Sequence, residues 1–320
     1  MAGGASLLRA LGAERAVLHD ARFFTRTAEG LDEYLRVAMG ARQRVAAEMF
    51  VATDAPISHT LMRASFRDIG GVAVRDGEYL RLAPGELVPG MPGALRVVDY
   101  GDEPFKMHSK SIVADRSHGV VTTAAAAARH REHLSAALDF TAAFRGSAAA
   151  ALDDATAAAA SLRPETIRAS LERLAPHGIF VNDPRAGVRL LRARQLGALQ
   201  GAQERLVIAH KSLYDKDAIA LLGQARDRGV RVRVFTPDAP RNASGIARMQ
   251  ALGLDPVLVP AHSLHGNLII ADDQLIASTA MLTPRGLARD RAQRHAREMG
   301  FALDDPAALV DAMRALATLA

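Results

Sequence analysis

The chain has 320 residues, 49% hydrophobic and 23% charged, with a formal net charge of +5. That allows a large core in one or two domains and favours anionic partners, without separating phospholipid, nucleic acid and small phosphates. It has no cysteine, which excludes disulfides and thiolate metal sites, and no tryptophan, which weakens readings built on base stacking or an aromatic membrane belt.

No stretch approaches the roughly 20 apolar residues that span a bilayer. Residues 1–18 carry Arg9, Glu14 and Arg15 where a signal peptide would have a clean apolar core. A cytoplasmic protein is therefore expected, although a removed leader would leave no trace. The first regular signal is Gly40-Ala41-Arg42-Gln43-Arg44-Val45, which leads into a short apolar strand over 45–51. A helix is expected after Ile57, and the Gly- and Pro-rich residues 82–92 read as a long loop.

Next comes His108-Ser109-Lys110-Ser111-Ile112-Val113-Ala114-Asp115. An imidazole and an ammonium two residues apart lie on one face of an extended strand. Ile112-Val113-Ala114 is its buried part, and Asp115 closes it. Of the 40 basic residues, only Lys106, Lys110, Lys211 and Lys216 are lysines. Against so much arginine, a lysine two places after a histidine points to a need for a compact ammonium.

Residues 124–161 are alanine-rich and read as helix plus linker, with Asp153 and Asp154 in water. His130 and His133 stand at i, i+3 spacing there, but no third ligand is evident, so a solvated helix face is expected rather than a metal site. Pro164, Pro176 and Pro184 punctuate 161–188, where the chain is expected to divide into halves 1–165 and 166–320.

The second half reads more cleanly. It predicts a helix over 188–200, a strand over 205–210, a helix over 215–228 capped by Gly229, and an alternating strand over 230–235. A helix over 245–252 and a strand over 256–259 follow. Lys211 reads as a surface-loop lysine, with replacement of a missing cation as the alternative. The motif then returns as His265-Gly266-Asn267-Leu268-Ile269-Ile270-Ala271-Asp272, with Asn267 where Lys110 stood. The basic residues 285–297 read as a helix with a solvated face, a phosphate grip being the other possibility.

The halves repeat each other. Gly40-Ala41-Arg42-Gln43-Arg44-Val45 matches Gly201-Ala202-Gln203-Glu204-Arg205-Leu206, Asp54 aligns with Asp215, and the two histidine strands follow nearly in register. Strands alternating with helices in each copy predict an α/β protein of two pseudo-symmetric halves, each a mostly parallel mixed sheet flanked by helices.

Duplicated H-x-K-x-x-x-x-D strands in duplicated α/β halves resemble the phospholipase D superfamily, over roughly residues 30–303. The resemblance implies an active site at the interface of the halves. It also implies phosphodiester cleavage or transfer through a phosphohistidine, with no metal and no cofactor. His108 would be the nucleophile and His265 the general acid, or the reverse, and Lys110 would bind a phosphoryl oxygen. Asp115 and Asp272 would hold backbone or orient neighbours. The chemistry suits histidine, which can be a neutral nucleophile or a protonated acid near neutral pH.

The family's Gly-Ser-x-Asn tetrad is replaced here by Thr122-Thr123-Ala124-Ala125 and Ala277-Ser278-Thr279-Ala280. Thr123 and Ser278 are left as hydroxyl donors to substrate. Glu298 is the expected acid that orients the opposite histidine, with Asp139 a weaker counterpart. Asn267 either donates a hydrogen bond to substrate or marks a decayed site. A phospholipid head group is the expected substrate, since fused two-half chains are common among the lipid enzymes of the family, and the internal pseudo-dimer implies a monomer. The alternatives are a nuclease acting on DNA or RNA and a catalytically impaired phosphate- or lipid-binding protein.

Overall fold

The computed structural model describes residues 2–42, 44–49, 70–75, 95–99, 105–124, 137–287 and 295–319. The helix expected after Ile57, the 82–92 loop, the Asp54 alignment and the His130–His133 pair lie outside the described residues. No helix among the described residues is long and apolar enough to cross a membrane.

The first half contributes strands β1 (Arg22–Arg26), β2 (Arg44–Met49), β3 (Gly70–Arg75), β4 (Leu95–Asp99), β5 (Phe105–Met107), β6 (Ser111–Ala114), β7 (His118–Thr122) and β8 (Leu138–Arg145). The second contributes β9 (Ile179–Asp183), β10 (Val188–Arg189), β11 (Arg205–His210), β12 (Arg231–Pro237), β13 (Val257–Val259), β14 (Asn267–Ala271), β15 (Gln274–Ser278) and β16 (His295–Leu303). The described helices are α1 (Ala2–Ala10), α2 (Thr27–Gly40), α3 (Ser147–Ala160), α4 (Pro164–Leu174), α5 (Leu190–Gly201), α6 (Lys216–Asp227), α7 (Ala243–Ala251) and α8 (Pro306–Ala317).

One sheet runs β1-β8-β7-β6-β2-β3-β4 and the other β10-β9-β16-β15-β14-β11-β12-β13, with β5 added on β16. Apart from β10 and β5, the two orders correspond strand for strand. The mixed α/β class is as expected from the alternation of strands and helices. The predominance of parallel pairing is not: β2-β3-β4 and β11-β12-β13 are parallel, and the rest of each main sheet order is antiparallel. The cause is local, because each motif strand folds straight back as a hairpin instead of crossing over through a helix. The register Ala114↔His118 closes β6 on β7, and Ala271↔Gln274 closes β14 on β15.

The motif aspartates make those hairpins. Asp115 (φ 51°) and Asp272 (φ 55°) both occupy the left-handed region, which aspartate tolerates better than most residues. Each carboxylate then reaches the segment that opens the repeat. Asp115 accepts from the Arg42 N–H (2.8 Å), and Asp272 accepts from Gln203, Glu204 and Arg205 (3.0, 2.8 and 3.1 Å). Burial pushes the Asp272 carboxyl up, but the backbone N–H groups of Glu204, Arg205 and Gln203 outweigh it and hold the group below its ordinary range. Arg42 and Gln203 are equivalent in the sequence repeat, so the same bond forms at the same place twice.

Asp215 caps α6 by accepting from the Asp217 and Ala218 N–H groups at 3.0 and 2.9 Å, and Gly229 follows the helix at φ 87°. The alanine-rich region departs from expectation. It contains β8, whose residues from Leu138 to Phe144 are all buried, followed by α3. Asp153 is not in water either: it is buried on α3 and pairs with Arg116 of the β6–β7 turn at 2.9 Å. The basic 285–297 segment does not end as a solvated helix, since His295 opens β16.

The two sheets share a core. The Phe23 ring of β1 lies parallel to Phe140 of β8 at 6.2 Å and edge-on to Phe301 of β16 at 6.3 Å. Such ring pairs contribute about 0.5–1.5 kcal/mol beyond the area they bury.

Candidate active site

Each motif histidine is carried onto the sheet of the opposite half. Strand β5 pairs in parallel with β16, with Met107 opposite Arg297, and the next N–H, that of His108, donates to the Arg297 carbonyl at 2.9 Å. In the other direction the N–H groups of His265 and Gly266 donate to the Leu138 carbonyl of β8, at 3.0 and 2.8 Å. The residue after each of those carbonyls is an acid. Glu298 meets His108 Nδ1 at 2.8 Å, and Asp139 meets His265 Nδ1 at 2.9 and 3.1 Å through its two oxygens.

Threonines hold the acids. Thr123 Oγ1 (2.6 Å) and Thr27 Oγ1 (2.7 Å) donate to Asp139, and Thr279 Oγ1 donates to Glu298. The Phe140 and Met299 N–H groups lock Thr123 and Thr279 in turn, at 2.9 and 3.0 Å. A carboxylate at Nδ1 selects the tautomer with the proton there. Each Nε2 is thereby left as a lone pair for attack, or as the N–H of an acid once the ring is protonated.

Burial pushes both imidazoles below their ordinary pKa. For His108, Glu298 pulls the other way, while the charges of Lys110 and His265 add to the lowering. For His265, Asp139 opposes burial, and Lys211 and Lys110 add to it. Each ring therefore answers to charges from both halves. Burial also raises the two carboxyls, but His108 and His265 beside them leave Glu298 and Asp139 ionised with lowered pKa values. The His108 side chain is 28% exposed and that of His265 is 12% exposed, so both rings keep some contact with solvent.

Ser109 points away from its neighbours and donates to buried Glu48, as the alternation of an extended segment requires. Lys110 is buried and donates to the His108 carbonyl at 3.0 Å. Burial lowers its pKa to about 8, against the pull of Glu298 and Asp139 and with the push of Lys211. The sign is direct: Lys110 is charged below about 8 and loses its proton above it. A dialkyl phosphate, which keeps one charge throughout, is expected to bind tightly near neutral pH and to weaken through pH 8. Calorimetric titration across that range checks this, and an affinity that holds steady well above pH 8 would exclude Lys110 as the anion's cation.

Not every expected site residue is brought here. Asp115 and Asp272 lie at the far ends of their strands, about 20 Å from the histidines at ~3.3 Å per residue, where both accept from backbone N–H groups. Ser278 is buried, donates to the Ala280 carbonyl (3.1 Å) and accepts from Gln195 (3.0 Å). Its hydroxyl is committed to structure. Thr123 is at the site, but its hydroxyl serves Asp139. Asn267 is turned inward: its amide donates to the Ser278 and Thr279 carbonyls at 3.2 and 3.3 Å.

Gly266 permits the close approach of the second motif to β8. A Cβ there would come within 2.7 Å of both the Phe140 ring and Thr123 Oγ1. Gly266→Ala is expected to cost about 1–3 kcal/mol through overpacking and to lower activity with it, by displacing His265 from Asp139. Urea unfolding measures the first effect; a change below about 0.5 kcal/mol would mean the strand simply shifts.

No protein-family model and no curated protein sequence matches the chain. Solved structures do. Phosphatidylserine synthase of Haemophilus influenzae Rd KW20 aligns with a TM-score of 0.69 at 13% identity, over 100% of this chain and 91% of that one. The yeast tyrosyl-DNA phosphodiesterase aligns with a TM-score of 0.52 at 10% identity, over 88% and 89%. The chain shares the fold of these two proteins. Polyphosphate kinase of Porphyromonas gingivalis also aligns (TM-score 0.59, 13% identity), over 93% of this chain and 46% of the kinase.

Sequence reasoning passed over several residues of this candidate site. Thr27 opens α2 and Thr279 follows β15, and neither carries a local signal of its role. Arg297 belongs to the basic stretch read as solvated. It is fully buried instead, with two bonds to Glu48 (2.9 and 2.7 Å) and one to Asp183.

Proposed function

We propose that the chain is a phospholipase D-like phosphodiesterase or phosphatidyltransferase that acts on a phospholipid head group. The observation that carries this reading is the crossed pairing of His108 with Glu298 and His265 with Asp139, with Lys110 acting electrostatically on both rings. Two Nε2 atoms presented from opposite halves suit an in-line displacement at phosphorus.

In the first step His108 Nε2 forms a bond to phosphorus while the bond from phosphorus to the leaving oxygen breaks. His265, protonated, gives its Nε2 proton to that oxygen. In the second step the now neutral His265 takes a proton from water or an acceptor alcohol, whose oxygen attacks phosphorus and breaks the P–N bond. An arriving phosphodiester supplies the negative charge that favours protonation of His265 against the burial that lowers it. Lys110 meets the charge that gathers on the phosphoryl oxygens, where one preorganised partner is worth about 10²–10³ in rate. Because both histidines come from one chain, a monomer suffices.

The full-length likeness to a phosphatidylserine synthase supports the choice of lipid over nucleic acid. The test compares turnover of phospholipid in mixed micelles, with and without an added alcohol, against single- and double-stranded oligonucleotides. Release or exchange of the lipid head group with no cleavage of nucleic acid is expected. Cleavage of oligonucleotides alone would replace this reading with the nuclease one, and turnover of neither would favour a binding protein.

A further inference from the structure

The second motif has no cation of its own, and Asn267 does not act in place of one. Its amide hydrogens go to two carbonyls at the end of β15, and its Oδ1 accepts from the Lys211 N–H at 3.3 Å. That last bond points to a different residue. The register His210↔Asn267 of β11 on β14 sets Lys211 one residue past the strand end, level with Gly266 and so between the two motif positions His265 and Asn267.

The backbone of Lys211 is held on its other side as well. Its carbonyl accepts from Asn242 Nδ2 at 3.3 Å, and the same asparagine receives the Leu213 N–H at 3.3 Å. Lys211 is half-buried, whereas His210, Ser212 and Leu213 around it are buried. The register sets its backbone beside His265, and its charge lowers the pKa of Lys110 from the first half and of His265 from the second. Lys110 and Lys211 are two of only four lysines in an arginine-rich chain.

We propose that Lys211 supplies the second cation of the phosphate position, and that Asn267 serves it by fixing its backbone. The ligand chemistry is a phosphoryl oxygen, met by Lys110 from the first half and Lys211 from the second. The inference rests on the phosphodiester site described above, but it is distinct from it, because Lys110 and the histidines could hold a phosphate without Lys211.

Inorganic phosphate, titrated into the full-length protein by calorimetry at fixed pH and ionic strength, tests this without requiring turnover. Lys211→Met is expected to weaken binding about 10- to 100-fold, as loss of a charged hydrogen-bond partner does, with Lys211→Arg intermediate and the thermal midpoint unchanged. A parallel Lys110→Met separates the two levels of the argument. If Lys110→Met weakens phosphate binding while Lys211→Met stays within about twofold of wild type, the site stands and the role of Lys211 is overturned. If the wild type binds no phosphate, or neither variant changes it, the site reading falls and this inference falls with it. If Lys211→Met lowers the thermal midpoint and Lys211→Arg restores stability without restoring affinity, Lys211 is only structural and the inference is wrong.

Discussion

His108→Ala is expected to lower phosphodiester turnover by about 10⁴–10⁶-fold, the scale at which loss of a nucleophile acts, while leaving the fold intact. The ring is partly exposed, and its main polar partner is Glu298. His265→Ala is expected to cost less, about 10²–10⁴-fold, as loss of an acid–base group does. The two are separable by chemistry. A substrate whose leaving oxygen departs without a proton should recover much of its rate in His265→Ala, because the acid step is no longer needed. The same substrate should recover nothing in His108→Ala. Steady-state rates with a nitrophenyl and an alkyl ester of one phosphodiester would show this. The reverse pattern would exchange the two roles, and equal rescue of both would remove either histidine from the nucleophile's place.

The second large effect concerns the cluster behind His108. Arg297 of β16 bonds Glu48 of β2 and Asp183 of β9, all three are fully buried, and Ser109 and Thr156 add hydroxyl bonds to Glu48. One guanidinium thus stands between two carboxylates and ties the sheets of the two halves together. Arg297→Met is expected to destabilise the protein by about 3–5 kcal/mol, because it leaves buried carboxylates without their partner. Replacing all three ionic residues by apolar ones of similar volume should recover much of that loss, since the cost lies in the uncompensated charge and not in the absence of the pair. Urea unfolding of the single and triple variants checks both statements. A loss below about 1 kcal/mol in Arg297→Met would mean that the carboxylates find water or a proton. The consequence for activity is direct, because the Arg297 carbonyl positions His108 and the next residue is Glu298.

Much of the site was legible because it is written locally and twice. The i, i+2 spacing of His108 and Lys110 is a statement about one face of an extended chain, and the strand Arg205–His210 is read with its observed bounds. The repeat beginning at Gly40 and Gly201 aligned Arg42 with Gln203, which bind the two motif aspartates. What stayed hidden depends on partners far apart in sequence. Strand β8 is buried along both faces, so it lacks the alternation that marks a half-exposed strand. Its Asp139 stood out only weakly, because Thr27, Thr123 and His265 give it meaning and come from three separate segments.

Charge alone misled in two places. Asp153 looked solvated, but the β6–β7 turn brings Arg116 over it. Arg297 looked like part of a basic surface, but it is the counter-ion of a buried pair of acids. Asn267, open in the sequence between a donor to substrate and a decayed site, turns inward onto two carbonyls. In the proposal above it fixes Lys211, which no spacing rule could indicate because Lys211 lies just past the end of a different strand. The expectation of mostly parallel sheets failed for a related reason. The apolar run before each motif aspartate was read as a strand, while the tight return that follows it, from Asp115 to His118 and from Asp272 to Gln274, was not read as a hairpin.

The central claim is that two rings from opposite halves act on a single phosphorus. It is tested most directly by quenching the protein during turnover of a phosphodiester in denaturant at alkaline pH, where phosphohistidine survives, and weighing the intact chain. One acid-labile adduct per chain, mapped by peptide mass to His108 and lost in His108→Ala, is the result the account predicts. An enzyme that turns over with no adduct on either His108 or His265 would contradict it.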